Sequence, residues 1–131
     1  MSLKARLILA ATYVLLVVTI GLDYQVGVGG ARLAVADRQK IALVRALLKQ
    51  PTLLVVDQAV APLDPASQQR VMEGVLQERK GRGVVWVLQR PDLAERFTVV
   101  LVMERGKLAE KGAFAELKSN GGPLHKLLIA A

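Results

Sequence analysis

Asp57 closes the apolar run Thr52-Leu53-Leu54-Val55-Val56, which is too short for a helix and rich in β-branched residues, so a carboxylate stands at the end of a short buried strand. A second run, Val84-Val85-Trp86-Val87-Leu88, leads into Gln89. In open α/β sheets ligands sit beyond the carboxyl ends of the strands, which makes Asp57 and Gln89 the first candidates for contact with a bound group. Asp64-Pro65 has a different pattern: an acceptor placed for orphan N–H groups, then a proline suited to a first helical position. The cluster Gly27-Val28-Gly29-Gly30 invites a phosphate-loop reading, but such a loop needs G-x-x-x-x-G-K-[ST], and no such string occurs in the chain. The cluster therefore reads as a loop.

Composition removes other chemistries. There is no cysteine, which excludes disulfides, thiolate metal sites and cysteine nucleophiles, and His125 is the only histidine, which excludes a site built from several imidazoles. The chain has 131 residues, 53% of them hydrophobic and 22% charged, enough for one compact domain with an aliphatic core. Its net charge of +7 is spread from Lys4 to Lys126, with one tight cluster at Arg79, Lys80 and Arg82, and only 4% of residues are aromatic. Without a basic stripe or stacking platforms, no nucleic-acid partner is expected.

The elements that must position these residues follow from periodicity. Residues 36–49 carry Ile41, Val44 and Leu48 at helical spacing and Arg38, Gln39, Arg45 and Lys49 opposite, an amphipathic helix ended by Gln50-Pro51. The run ending at Asp57 is expected as a parallel strand covered on both faces. A helix follows from Asp64 through Val71, Val75 and Leu76, closed by Gly81 and Gly83. A third run, Val99 to Met103, turns through Glu104-Arg105-Gly106-Lys107 into a hairpin, and short helices over 113–119 and 124–130 end the chain. This order implies an α/β sheet with right-handed crossovers.

Residues 1–22 form a separate apolar N-terminal segment, and the run from Leu7 to Leu22 carries no charge. It falls short of the roughly 20 apolar residues that span a membrane. A buried or docked segment, a membrane anchor and a processed leader all remain open readings.

Residues 23–131 resemble the C-terminal half of an ABC transporter nucleotide-binding domain of the exporter type. The resemblance rests on Val26-Gly27 through Gly30, Leu33, Arg38 to Leu43, Arg45 to Leu48, Pro51, Leu53 to Asp57 and Leu63-Asp64, and continues through Gly106-Lys107-Leu108, Glu110-Lys111-Gly112 and Glu116-Leu117. It implies a partial P-loop NTPase-like parallel sheet with flanking helices and a C-terminal β-hairpin plus helices. It also implies ATP and magnesium as cofactors, a transmembrane permease domain and a second nucleotide-binding domain as partners, an oligomer or a larger chain, and a place at the cytoplasmic face of the cell membrane.

The site residues that the resemblance implies depart in chemistry. The family's signature Leu-Ser-Gly-Gly-Gln aligns with Leu33, Ala34, Val35, Ala36 and Asp37, so the hydroxyl and both glycines are replaced, and Asp37 is expected to cap the helix and repel phosphate. Asp57 matches the Walker B aspartate, which holds magnesium through water. Gln58 replaces the catalytic glutamate, and its amide can hydrogen-bond a water but cannot act as a carboxylate base. Gln89 replaces the switch histidine. The D-loop appears as Ala61-Pro62-Leu63-Asp64, in which Asp64 is retained. The family hydrolyses ATP; this chain is expected to be a degenerate ATP-binding component that does not do so on its own, a pseudoenzyme. The alternative is a non-catalytic interaction module associating with a permease or another ATPase subunit.

Overall fold

The computed structural model describes residues 25–131, so the apolar segment over residues 1–22 lies outside the described residues. These residues fall into two compact units, one ending at Val87 and one running from Leu88 to Ala131.

In the first unit, a 3-10 turn at Val28–Gly30 precedes helix α1 (Val35–Leu48). The helix ends as its sequence predicts: Gln50 takes a left-handed φ of 47° and donates its N–H to the Leu47 carbonyl, and Pro51 follows. Strand β1 (Leu53–Asp57), helix α2 (Pro65–Glu78) and strand β2 (Gly83–Val87) form a β-α-β crossover, with β1 and β2 paired in parallel from Leu53 opposite Gly83 to Asp57 opposite Val87. Leu43 from α1, Leu54 and Val56 from β1 and Val75 from α2 make the core, with Ala46, Leu47, Val71, Val84 and Trp86 packed against it.

Two expectations are corrected here. The strand at 53–57 is parallel but covered on one face only: Val56 is 2% exposed and its neighbour Val55 61%. Leu53, Val55 and Val85 share the open face, because strand side chains alternate and register partners lie side by side. The buried stripe of α1 is also displaced from the expected Ile41, Val44 and Leu48. Leu43, Ala46 and Leu47 face the core, while Leu48 is exposed. Both stripes have i, i+3 or i, i+4 spacing, so periodicity alone cannot choose between them.

In the second unit a 3-10 segment, Pro91–Arg96, leads to the antiparallel hairpin of β3 (Val100–Glu104) and β4 (Lys107–Gly112). Arg105 and Gly106 form its turn with φ of 49° and 74°; positive φ at both central residues matches the twist of the flanking strands. Helices α3 (Phe114–Ser119) and α4 (Pro123–Ala130) follow. Val100 and Val102 alternate inward to join Ala94, Leu117 and Leu124, while Leu101 and Met103 face outward. Among the described residues the four strands form two separate two-stranded sheets.

Candidate functional site

Residues 33–37 open α1. Leu33 is buried, and Ala34 is the N-cap in extended backbone without a side chain able to accept an N–H. Asp37 is the third residue of the helix, not its cap, because helical backbone already begins at Val35. Its carboxylate turns to Lys40 at 3.3 Å. The cap expected of Asp37 is therefore corrected to a first-turn acid that favours the helix dipole and pairs at i+3. Val35, where the family's glycine would be, is exposed at the helix start.

Asp57 ends β1, fully in reach of solvent, and by the alternation of the strand it belongs to the open face of Leu53 and Val55. Gln58 follows it in left-handed backbone, φ 52°, a conformation that costs a non-glycine residue about 1–2 kcal/mol. The Gln58 carbonyl accepts the Ala61 N–H at 3.1 Å, so the strained residue starts the turn that carries the chain to α2. Among the described residues no three of His, Asp and Glu come together. Asp57 thus offers one carboxylate, and the residues present do not by themselves fit a magnesium ion.

Asp64 is the N-cap of α2, with Pro65 at the first helical position. Its Oδ1 accepts the Ser67 backbone N–H at 2.9 Å. Hydrogen bonding from Ser67, side chain first and then backbone, holds its carboxyl below its ordinary value against a weaker opposing effect of desolvation. Sequence reasoning missed Gln68, which reaches back from α2 to donate to the carbonyls of Leu63 at 2.9 Å and Ala61 at 3.4 Å. It fixes the segment between Gln58 and the helix, a role that no local pattern announces.

Arg79 was also missed as a positioning residue. It is 3% exposed, and its Nη2 donates to the carbonyls of Thr52 at 3.2 Å and Gly83 at 3.4 Å. One guanidinium thereby ties together the starts of β1 and β2, at the opposite end of β1 from Asp57. Its Nε and Nη1 are buried without a protein partner.

In the second unit Gln89 is exposed just after β2, and beside it Arg90 grips Asp92 through two bonds, Nη2 to Oδ2 at 2.6 Å and Nε to Oδ1 at 3.2 Å. Further along, Glu110 on β4 accepts the Leu124 N–H at 3.0 Å, doing for α4 what Gly122 at its N-cap cannot.

Comparison with known proteins places this geometry in context. No family model matches the chain. It is 36% identical over 107 residues to an ATP-dependent lipid A-core flippase of Pseudomonas fluorescens, covering 82% of this chain and 18% of that protein. It is 41% identical over 109 residues to the glutathione/L-cysteine transport system ATP-binding/permease protein CydD of Escherichia coli, again 82% of this chain and 18% of the other. Heterocyst differentiation ATP-binding protein HepA of Nostoc is 36% identical over 106 residues, 81% of this chain and 18% of its own length. The fold matches a bacterial Atm1-family ABC exporter solved with ATP bound, with a TM-score of 0.82 at 22% identity, over 97% of this chain and 23% of the exporter. The chain thus spans about 18% of the length of these curated relatives.

Proposed function

This chain is related to the ABC exporters through the C-terminal half of their nucleotide-binding domain, and on that premise we propose that it is an ATP-binding component that does not hydrolyse ATP on its own. The observation that carries the reading is the pairing of Asp57 with Gln58: a Walker B-like carboxylate on an exposed strand end, followed by a neutral amide where a base is required, in a chain without a G-x-x-x-x-G-K-[ST] loop.

Each residue then has a limited role. Leu33 to Asp37 open α1 without the glycines that let a helix start approach phosphate, and Val35 adds β-branched bulk there. Asp57 holds magnesium through water only where another segment supplies the phosphate loop. Gln58 and Gln89 keep hydrogen-bonding capacity and lose titration in the working pH range. Asp64 serves as the cap of α2. Because phosphoryl transfer depends on positioning and charge stabilisation acting together, these substitutions combine against turnover. The implied setting is that of the relatives: a permease domain and a second nucleotide-binding domain as partners, at the cytoplasmic face of the membrane.

A second reading, a non-catalytic interaction module, is favoured by the open apolar face of β1 and β2. Phosphate release by the purified chain in excess magnesium-ATP tests the first. The expected result is no turnover above a no-protein control, unchanged in Gln58→Glu, because restoring the base does not restore the missing loop. Turnover by the unaltered chain would overturn it.

A further inference from the structure

Parallel strands occur almost only where both faces of the sheet are covered, because each strand is apolar on both sides. The β1–β2 pair departs from that rule. Leu54, Val56, Val84 and Trp86 pack under the helices, whereas Leu53, Val55, Val85 and Val87 are each close to half exposed or more. Each strand also has only one neighbour, so each keeps an open backbone edge.

The shape of what is missing follows from these two vacancies. A strand satisfies an open edge, and an amphipathic helix covers an apolar face. The two come as one unit in the phosphate-loop motif, a strand, then G-x-x-x-x-G-K-[ST], then a helix. A strand added in parallel beside the pair brings its carboxyl end, and therefore its loop, level with the carboxyl end of β1. Asp57 is the last residue of the open face at that end, opposite Val87. The apolar surface thus runs directly into the one carboxylate that magnesium-phosphate chemistry needs, and the curated relatives are more than five times the length of the part that this chain matches.

We propose that the face formed by Leu53, Val55, Val85 and Val87 is a docking surface for a strand–P-loop–helix unit presented by another polypeptide, which seats its loop beside Asp57. The proposal rests on the ATP-binding reading above and names the partner it requires. Its core of four aliphatic side chains around Val55 makes a charge there costly, since an unpaired ammonium would be buried by the docking helix.

The test is co-expression of the full 131-residue chain with a tagged segment of the Escherichia coli relative that carries its G-x-x-x-x-G-K-[ST] loop and ends where the matched 109 residues begin, in the absence of added nucleotide. The expected result is a 1:1 complex by light scattering. Amide exchange in residues 53–57 and 83–87 should slow at least about tenfold relative to the chain alone. Val55→Lys should weaken the complex at least about tenfold, and Val28→Lys, at a residue 98% exposed outside this face, should leave it intact. Recovery of no complex, a complex indifferent to Val55→Lys, or a homodimer of the chain that Val55→Lys dissociates would each overturn the proposal. Circular dichroism melts of both variants show whether they fold. Because nucleotide is omitted, failure here bears on docking alone; a complex that forms but binds no ATP would instead count against the functional reading.

Discussion

The Asp64 carboxylate accepts the backbone N–H of Ser67 at 2.9 Å, so the aspartate retained from the D-loop position is engaged in starting α2. Its pKa is held below the ordinary 3.8, mainly by hydrogen bonding from Ser67. A carboxyl whose pKa is lower folded than unfolded adds stability above its unfolded value and loses it as pH falls through the folded one. The wild-type urea midpoint should therefore drop on acidification below about pH 4, and Asp64→Asn should be less stable at neutral pH with a flatter acid limb. Parallel acid limbs would contradict the assignment.

Gln58 sits in left-handed backbone, where glycine has no steric cost. Gln58→Gly should stabilise the chain by about 1 kcal/mol, and Gln58→Val should destabilise it by a similar amount or more. Chemical denaturation of the two variants checks this, and the opposite order would show that the backbone at 58 is not as described.

Arg79 bridges Thr52 and Gly83 from a buried position. Arg79→Ala removes both bonds and the packed stem and should cost roughly 2–3 kcal/mol. Arg79→Met keeps the stem and also removes two unpartnered buried donors, Nε and Nη1, so its loss should be smaller, under about 1 kcal/mol. Urea unfolding of the two variants gives the comparison.

Glu110 caps α4 from outside the helix, and a Cβ at Gly122 would fall against the same carboxylate. Glu110→Ala should cost about 1 kcal/mol, and Gly122→Ala a similar amount by displacing the flexible carboxylate. Because both remove one bond, the double variant should be no worse than either single one; additive losses would mean that the bond is not shared.

Much of this was legible in the sequence because it is written locally. Asp64-Pro65 announces a cap and a first helical turn, Gln50-Pro51 a helix stop, and Arg105-Gly106 a hairpin, and each is found where its residues place it. Tertiary choices were not legible. The α1 sequence carries two apolar stripes, and only packing selects Leu43 over Ile41. The all-apolar run before Asp57 reads as doubly covered, since Val55 differs in no chemical respect from Val56; what differs is whether a layer is present to bury it. Asp37 was misplaced by the start of α1 at Val35, and Gln68 and Arg79 act on carbonyls, which no sequence pattern displays.

The account's central claim is that this chain carries an aspartate of the Walker B type without a phosphate site of its own. Thermal unfolding of the purified chain with and without millimolar magnesium-ATP tests it most directly, because a ligand that binds only the folded state must raise the midpoint, by about 2.7 kcal/mol of stability at a hundredfold excess over Kd. The predicted result is a cooperative transition that ATP leaves unmoved. A clear rise in the midpoint would contradict the claim and require a phosphate site within these 131 residues.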